Sequence, residues 1–333
     1  MDQPVGADAE GKLIAILKVL SESSEPLGSI TIARLLERDG VFLSERGVRY
    51  HLRIADERGF TQPGGRDGRM ITPLGRQEVK EALAARQLGL VRDKLELLAY
   101  QTTFDPEKRT GQLPINTSLI GRDRFKKALL AMKDAFKAGF CVSALVATAN
   151  EGEKLGAVVV PEGKIGFATI CGASINGVFL KAGVPTEFRF GGVLEIRDFK
   201  ARRFVAITEY AGTSIDPSEQ FIQAKMTSVQ LASKTGNGKI LGAFRTIPAP
   251  AREVVEAKIT RLKEVGIGGI YAVGHTSEPL CQIQVAMNRV AVVQLGGLNP
   301  IAAAVEAGIE IENTAESGLI DFEQLRSFWE LQA

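Results

Sequence analysis

The stretch "LSERGVRYHLRIADERGF", Leu43 to Phe60, determines the organisation of the first part of the chain. A helix through this stretch has a charged face and an opposite apolar face, because residues three and four positions apart lie on the same side of a helix. The charged face carries Arg46, Arg49 and Arg53, and the apolar face carries Val48, Leu52 and Ala55. The pattern predicts a short helix that is held by its apolar side and presents its arginines to a partner.

The neighbouring segments predict two helices before this one and a hairpin after it. "KLIAILKVLSES" and "SITIARLLERDG" have helical periodicity, and Ser29 and Ser44 are candidate N-caps. After Gly59 a short strand, the turn "PGGRDG" and a return strand follow. Three helices and a hairpin are the plan of a winged helix-turn-helix domain, predicted over residues 11–80 after a disordered tail of residues 1–10. Linker helices are predicted over residues 81–108.

The arginine helix occupies the place of the recognition helix, which lies in the DNA major groove. Arginine suits this role because its planar fork can donate to guanine O6 and N7 together. The hairpin tip can reach phosphates or the minor groove. The predicted DNA contacts are Ser44, Arg46, Arg49, Tyr50, Arg53, Arg66 and Arg69.

The charge distribution favours a local nucleic-acid surface. The chain of 333 residues has a formal net charge of only +2, yet the segment 46–76 holds seven arginines and three acidic residues. Two alternatives stay open: the arginines form a solvated helix face, or the winged helix docks a protein.

Other features restrict the class of protein. Three cysteines and two histidines, widely spaced, predict neither a disulfide framework nor a metal site. No motif for a nucleophile elbow, a phosphate loop or a dinucleotide site occurs, so an enzyme and a cofactor are not expected. The polar, acidic N-terminus and the lack of a long apolar run predict a cytoplasmic protein without membrane spans.

The remainder of the chain is a duplication. The segment 111–140 aligns without a gap on 238–267, and the segment that starts at Lys164 aligns on the one that starts at Arg289. Each copy reads strand, helix, strand, small-residue turn, helix, strand. The predicted fold class is an α/β regulatory domain over residues 109–333, built from halves 111–195 and 238–321 and preceded by the winged helix.

Glycine-rich strand-to-helix turns in both halves predict a ligand site, because helix N-termini offer free N–H groups to an anion. The turns are "ICGASING" (170–177) and "LGGLNP" (295–300). Each residue of the set has an ordinary structural role as an alternative. The candidates for binding a small carboxylate effector are Cys171, Ser174, Asn176, Arg189, Gly191, Gly192, Thr213, Ser214, Thr227, Gly296, Gly297 and Asn299.

Several segments resemble the nitrogen-regulatory repressor family NrpR over nearly the whole chain. They include "SERGVRYHLRIADERGFTQPGGRDGRMITPLG", "ICGASINGVFLKAGVPTEFRFGGVLEI", "YAGTSIDP", "GNGKILGAFRTIPA" and "QLGGLNPIAAAVEAGIEIE". The resemblance implies a repressor of nitrogen-assimilation genes that binds a double-stranded operator and is released by 2-oxoglutarate. Some family members carry two successive regulatory domains, whereas this chain has room for one.

A homodimer is the default expectation, because helix-turn-helix proteins commonly read two half-sites about 34 Å apart as dimers. The resemblance adds a second regulatory chain of the same family as a further option. Two rival functions remain at this stage: the same architecture sensing another metabolite, and an unrecognised small-molecule enzyme domain fused to a winged helix. The sequence names neither the operator nor the regulated genes.

Overall fold

The computed structural model describes residues 7–23, 25–38, 40–65, 68–86 and 90–332. The chain divides into two compact units, residues 1–88 and 89–333. The first unit contains α1 (Ala7–Ser21), α2 (Ser29–Arg38), α3 (Glu45–Glu57), β1 (Thr61–Pro63), β2 (Arg69–Ile71) and α4 (Pro73–Arg86). Helix α1 begins at Ala7, so the expectation of a disordered tail over residues 1–10 is wrong for residues 7–10.

The first unit is a winged helix, as predicted. The apolar side of α3 packs into a core with α1, α2 and α4, and Val48, Leu52 and Ala55 are buried there. Strands β1 and β2 pair as an antiparallel hairpin, and an isolated bridge from Leu27 to Arg69 extends it. The core therefore fixes which side of α3 faces outward.

The second unit is described without a gap over residues 90–332. Its elements are α5 (Leu90–Gln101), β3 (Gln112–Gly121), α6 (Phe125–Lys137), β4 (Leu145–Ala149), β5 (Lys154–Leu155), β6 (Val158–Val159), β7 (Lys164–Ile170), α7 (Ala173–Lys181), β8 (Glu187–Arg197), β9 (Lys200–Glu209), α8 (Pro217–Gln223), α9 (Val229–Thr235), β10 (Gly238–Pro248), α10 (Arg252–Glu264), β11 (Ile270–Thr276), β12 (Arg289–Leu295), α11 (Asn299–Glu306), β13 (Ile311–Asp321) and β14 (Arg326–Ser327).

Within residues 90–332 these strands form two large sheets and a small hairpin of β5 and β6. The strand orders of the large sheets are β13-β3-β7-β4-β14 and β9-β8-β10-β12-β11. The last strand of each half lies in the sheet of the other half: β8 pairs with β10, and β13 pairs with β3. The exchange joins the halves into one body.

Neighbouring strands in both large sheets are antiparallel. The rule that ligands bind beyond the carboxyl ends of parallel strands therefore does not apply directly. The ends of β7 and β12 nevertheless meet, because the exchanged strands hold the two sheets together.

Helix α5 is part of the regulatory unit and not a linker. It packs against α7, against β13 and against the 3-10 turn Tyr210–Gly212. Val91, Leu95, Leu98 and Ala99 bury its inner side. The expected linker over residues 81–108 is corrected accordingly, because this apolar stripe has a partner within residues 90–332.

Candidate functional site

The outer side of α3 carries the predicted DNA contacts. Arg46, Arg49 and Arg53 are exposed, and Tyr50 is half exposed beside them. Arg49 and Arg53 make only long, exposed ion pairs within the helix, at 3.5 Å to Glu45 and 3.6 Å to Glu57. Such pairs contribute little to stability, so these guanidinium groups remain available to a partner.

Ser44 and Arg69 make structural contacts. The Ser44 hydroxyl accepts a hydrogen bond from Gly47 N at 3.2 Å, which confirms its role as the N-cap of α3. The Arg69 Nε donates to the two carboxylate oxygens of Asp56 at 2.8 and 3.1 Å. Arg69 thus ties the wing to α3. Arg66 lies outside the described residues.

A cavity in the second unit is lined by equivalent positions of the two halves. The equivalent pairs are Asn116 with Ala243, Cys171 with Gly296, Gly172 with Gly297, and Ala173 with Leu298. A space bounded by equivalent residues from both copies straddles the approximate two-fold relation between them. The turns that precede α7 and α11 both open into it, so two helix N-termini face the same space.

Residues whose equivalents in the other half do not line the cavity give it its chemistry. Arg245, on β10, is 2% exposed, and its guanidinium lies 4.5 Å from the ring centre of Phe188 and 4.6 Å from that of Tyr210. It makes long hydrogen bonds of 3.4 Å to Tyr210 Oη and Phe244 O. Its Nε has no hydrogen-bond partner, and it forms no ion pair within the described part of the chain. A buried cation without an ion pair is stabilised when an anion binds beside it.

Acidic residues occupy another part of the cavity wall. Glu316 is 5% exposed, and Asp216 is buried as the N-cap of α8. Burial, followed by repulsion from Asp216, raises the pKa of Glu316 well above its ordinary value. Burial also raises the pKa of Cys171 and of Tyr210, so both of these groups are neutral.

Two buried side-chain amides lie at the cavity: Gln294 is in its wall, and Asn176 is next to Gln294. Gln294 Nε2 donates to Asn176 Oδ1 at 3.3 Å, while Gln294 Oε1 has no partner among the described residues. Gln294 lines the cavity, so this orphan acceptor adds to the polar groups that a ligand or water can satisfy.

Some of the predicted effector residues lie at the cavity and others support it. Cys171, Gly296 and Gly297 line it. A side chain at Gly297 would come within 2.5 Å of Ile170 O, so this turn requires glycine. Ser174 Oγ donates to Pro114 O, and the Asn299 amide bonds both backbone groups of Leu241. These two side chains hold the turns in place.

Other predicted effector residues do not line the cavity. Arg189 is exposed at 3.5 Å from Glu187, because alternate residues of β8 point outward. Thr213 bonds Ile215 O, next to the half-buried Ser214, and Thr227 bonds Glu306. Gly191 and Gly192 are buried inside β8, where close neighbours leave no room for a side chain.

Sequence reasoning missed Arg245, Tyr210, Asp216, Gln294 and Glu316. A comparison of the two copies of the internal repeat could have identified Arg245. Arg245 lies in the apolar strand "KILGAFRTIP", and its equivalent in the first half is Ser118. A charged residue that interrupts a buried strand in one copy alone marks a place where the copies differ in function.

The cavity has a volume of about 40 Å³. One buried water needs roughly 10–15 Å³ by this measure, so the cavity has room for a few waters. A ligand as large as a dicarboxylate therefore requires the cavity to widen.

A winged helix joined to a duplicated α/β unit is the arrangement of a transcription regulator. Residues 88–327 match the sequence model of NrpR regulatory domains NRD1 and 2, and residues 14–79 match that of the ribonuclease R winged-helix domain. In the described residues no helix combines the length and apolarity needed to cross a membrane.

Relatives carry the name of a nitrogen regulator. The chain is 37% identical over 317 residues to the global nitrogen regulator NrpRI of Methanosarcina mazei, covering 95% of this chain and 98% of the relative. It is 30% identical over 321 residues to the global nitrogen regulator NrpR of Methanocaldococcus jannaschii, covering 96% of this chain and 55% of the relative. The chain thus spans about half the length of that longer regulator.

A crystal structure of a nitrogen repressor-like protein from Methanococcus jannaschii is also similar. Its TM-score is 0.60 at 29% identity, covering 71% of this chain and 97% of that chain. The chain belongs to the NrpR family of nitrogen regulators, which are regulators and not enzymes.

Proposed function

We propose that this chain is a repressor that binds operator DNA through the exposed side of α3 and is released by a small dicarboxylate, 2-oxoglutarate, bound at the cavity around Arg245. The observation that carries the effector part is the buried guanidinium without an ion pair in the described residues. The observation that carries the DNA part is the row of exposed arginines on a helix whose other side is fixed in a core.

The DNA contacts divide by role. Arg46 and Arg49 lie in the N-terminal half of α3, the part of a recognition helix that meets base edges. Arg53 and Tyr50 stack at 5.7 Å and suit phosphate and sugar contacts. Arg69 acts indirectly, because its pair with Asp56 sets the position of the wing.

The effector contacts follow from charge. Arg245 is positioned for one carboxylate, and the N-termini of α7 and α11 suit another anionic group. The Gln294 amide, whose Oε1 has no hydrogen-bond partner among the described residues, can contact the part of the ligand between these two groups. The small asymmetry between the two copies allows the cavity to distinguish the two ends of the ligand.

Release from DNA requires differential binding. The effector must favour an arrangement with a wider cavity over the one with about 40 Å³, since equal affinity for both would change nothing. Leu95 of α5 lines the cavity, and α5 directly follows the winged-helix unit in the chain. A shift of α5 is our proposed route from the cavity to the DNA-binding unit.

The test uses the full chain and a duplex selected from a random library by the wild-type protein. Calorimetry should detect 2-oxoglutarate binding, and the effector should lower affinity for the duplex. The double variant Arg46→Ala, Arg49→Ala should no longer bind this duplex. The control Arg202→Ala, which changes an exposed arginine of β9, should bind it as the wild type does. Absence of heat with 2-oxoglutarate, together with unchanged DNA affinity, would refute the effector assignment.

The acidic wall favours a second candidate effector. Glu316 and Asp216 could accept an ammonium group while Arg245 binds a carboxylate, the arrangement expected for an α-amino acid. The same calorimetry with glutamate and glutamine separates the two candidates. An amino acid that binds and releases DNA, where 2-oxoglutarate does neither, would select the second.

We also propose that the chain acts as a homodimer on two half-sites about 34 Å apart, the usual arrangement for helix-turn-helix proteins. Light scattering coupled to gel filtration should give the dimer mass. A monomer mass with intact operator binding would exclude this part of the proposal and would point to a partner regulatory chain.

A further inference from the structure

Glu316 occupies an unusual place in the cavity wall. Between Thr314 and Gly318 the pairing of β13 with β3 slips, so residues 315–317 form a bulge opposite Asn116. Glu316 has a φ of 49°, a conformation that side-chain-bearing residues seldom adopt. Its backbone N–H donates to Asn116 Oδ1 at 3.1 Å. The bulge therefore turns a carboxyl into the cavity at a cost in backbone strain, and such strain is found at functional sites.

The bulge is supported from two sides. Lys94 Nζ, on α5, donates to Ala315 O at 2.9 Å, and the Glu219 carboxylate accepts from Ala315 N. In the other half the strand that corresponds to β13 carries Gly191 and Gly192 in this region. The carboxyl is thus a feature of one copy, like Arg245.

The groups that face Glu316 come from several elements. Lys94 on α5 lies 3.9 Å away, and Asp216 and Glu219 come from the start of α8. Arg245, on β10, lines the same cavity. Tyr210 and Cys171 also face the cluster and are neutral. The two cations balance the two carboxylates of Asp216 and Glu219. The cluster is neutral when Glu316 is protonated and carries a charge of −1 when it is ionised.

We propose that Glu316 is part of the effector site and holds a proton there whenever a dicarboxylate is bound. This inference rests on the proposed dicarboxylate effector. Two further negative charges enter the cavity with the ligand, and an ionised Glu316 would repel them in a low-dielectric space. The proton comes from solvent when the free protein has lost it. Protonated Glu316 also becomes a hydrogen-bond donor, which an ionised carboxylate is not.

The sign of the pH dependence follows. The bound dianion raises the pKa of Glu316 further, so the complex holds the proton over a wider pH range than the free protein does. In the window between the two pKa values, affinity for the effector falls by up to about tenfold for each unit that pH rises, because one proton is taken up on binding. Below that window, affinity is independent of pH.

The experiment is calorimetry of the full chain with 2-oxoglutarate from about pH 6 to about pH 9, where the ligand's carboxylates stay ionised. Paired buffers of different ionisation enthalpy give the number of protons exchanged. We expect net proton uptake and a falling affinity for the wild type. Glu316→Gln should bind across the whole range with the affinity that the wild type has at its acidic limit. Glu312→Gln, an exposed change on the same strand, should behave as the wild type.

Three outcomes decide the matter. Binding without proton exchange at any pH overturns the inference and leaves the effector assignment standing. An unchanged pH slope in Glu316→Gln also overturns it. Absence of 2-oxoglutarate binding at every pH removes the effector assignment itself. If Glu316→Gln does not fold, as judged by circular dichroism, proton exchange measured on the wild type still decides.

Discussion

The chain uses arginine in two opposite environments. On α3, Arg46, Arg49 and Arg53 stand in water, and their charge is screened by salt and by nearby carboxylates. On β10, Arg245 is buried between two aromatic rings without an ion pair in the described residues. Placing an arginine on the exposed helix face therefore costs little free energy of folding, whereas burying one in the sheet costs much more.

The difference shows what each site can recognise. An exposed row of arginines suits a polyanion, because many weak contacts add along a repeating backbone. A single buried guanidinium suits one small anion, because burial strengthens one contact and excludes competitors. Burial alone therefore distinguishes a surface that suits DNA from a site that suits a small anion.

The largest expected effect comes from removing the buried charge. Arg245→Met keeps the length of the side chain and should weaken effector binding by roughly two to four orders of magnitude, as loss of a buried ionic partner costs about 3–5 kcal/mol. The measurement is the dissociation constant by calorimetry. Arg189→Met, an exposed change on β8, is the control and should bind as the wild type. Equal affinity in the two variants would place the effector elsewhere.

A smaller effect is expected from one exposed arginine. Arg46→Ala should cost about 1–3 kcal/mol in operator affinity if its fork reads a guanine, and Arg46→Lys should recover only the charge. Fluorescence anisotropy over a salt series separates the two parts. If lysine restores full affinity, Arg46 contacts a phosphate and not a base.

The pH dependence of folding stability should show whether Glu316 holds a proton in the folded protein. A carboxyl whose pKa is raised in the folded state destabilises the fold at high pH, and the effect vanishes below its ordinary pKa of about 4.3. Glu316→Gln should therefore raise the melting temperature above neutral pH, with a gain that shrinks as pH falls. About 1 kcal/mol corresponds to roughly 2–4 °C in a unit of this size. A gain that is constant with pH would argue against the buried proton.

The smallest effects concern ion pairs of the winged helix. The Arg69–Asp56 pair is half buried, with side chains 35% and 28% exposed, and a double-mutant cycle should give a coupling of about 1 kcal/mol. The Arg53–Glu57 pair, 70% and 67% exposed, should give less than about 0.5 kcal/mol. Urea unfolding of the four variants of each pair provides both values. Equal couplings would mean that burial does not set the strength of these pairs.

The two regions also differ in how far the sequence predicts them. Helical period, an N-cap and turn residues specify the winged helix locally, so Val48 and Leu52 could be placed inside and Arg46 and Arg49 outside. The duplicated unit was predicted as α/β from its repeated pattern. The exchange of β8 and β13 was not, because strand pairing between distant segments leaves no local signal.

The cavity was predicted in part for the same reason. Cys171, Gly296 and Gly297 lie in glycine-rich turns that the sequence marks, whereas Arg245 and Glu316 reach the cavity only through the folding of distant strands. The charge of Arg189 predicts a ligand contact, whereas the alternation of side chains in "FRFGG" places it opposite the buried phenylalanines. In a strand, side-chain direction predicts a cavity residue better than residue type does.

The exchanged strands restrict how the regulatory unit can move. By sequence β8 belongs to the first half but lies in the sheet of the second, and β13 does the reverse. Each sheet therefore contains strands of both halves, so movement of either sheet moves segments of both halves. A ligand that widens the space between the sheets therefore has to displace segments of both halves together. A nick in the connection between residues 197 and 238 should accordingly leave two fragments that stay associated, because each sheet contains strands of both.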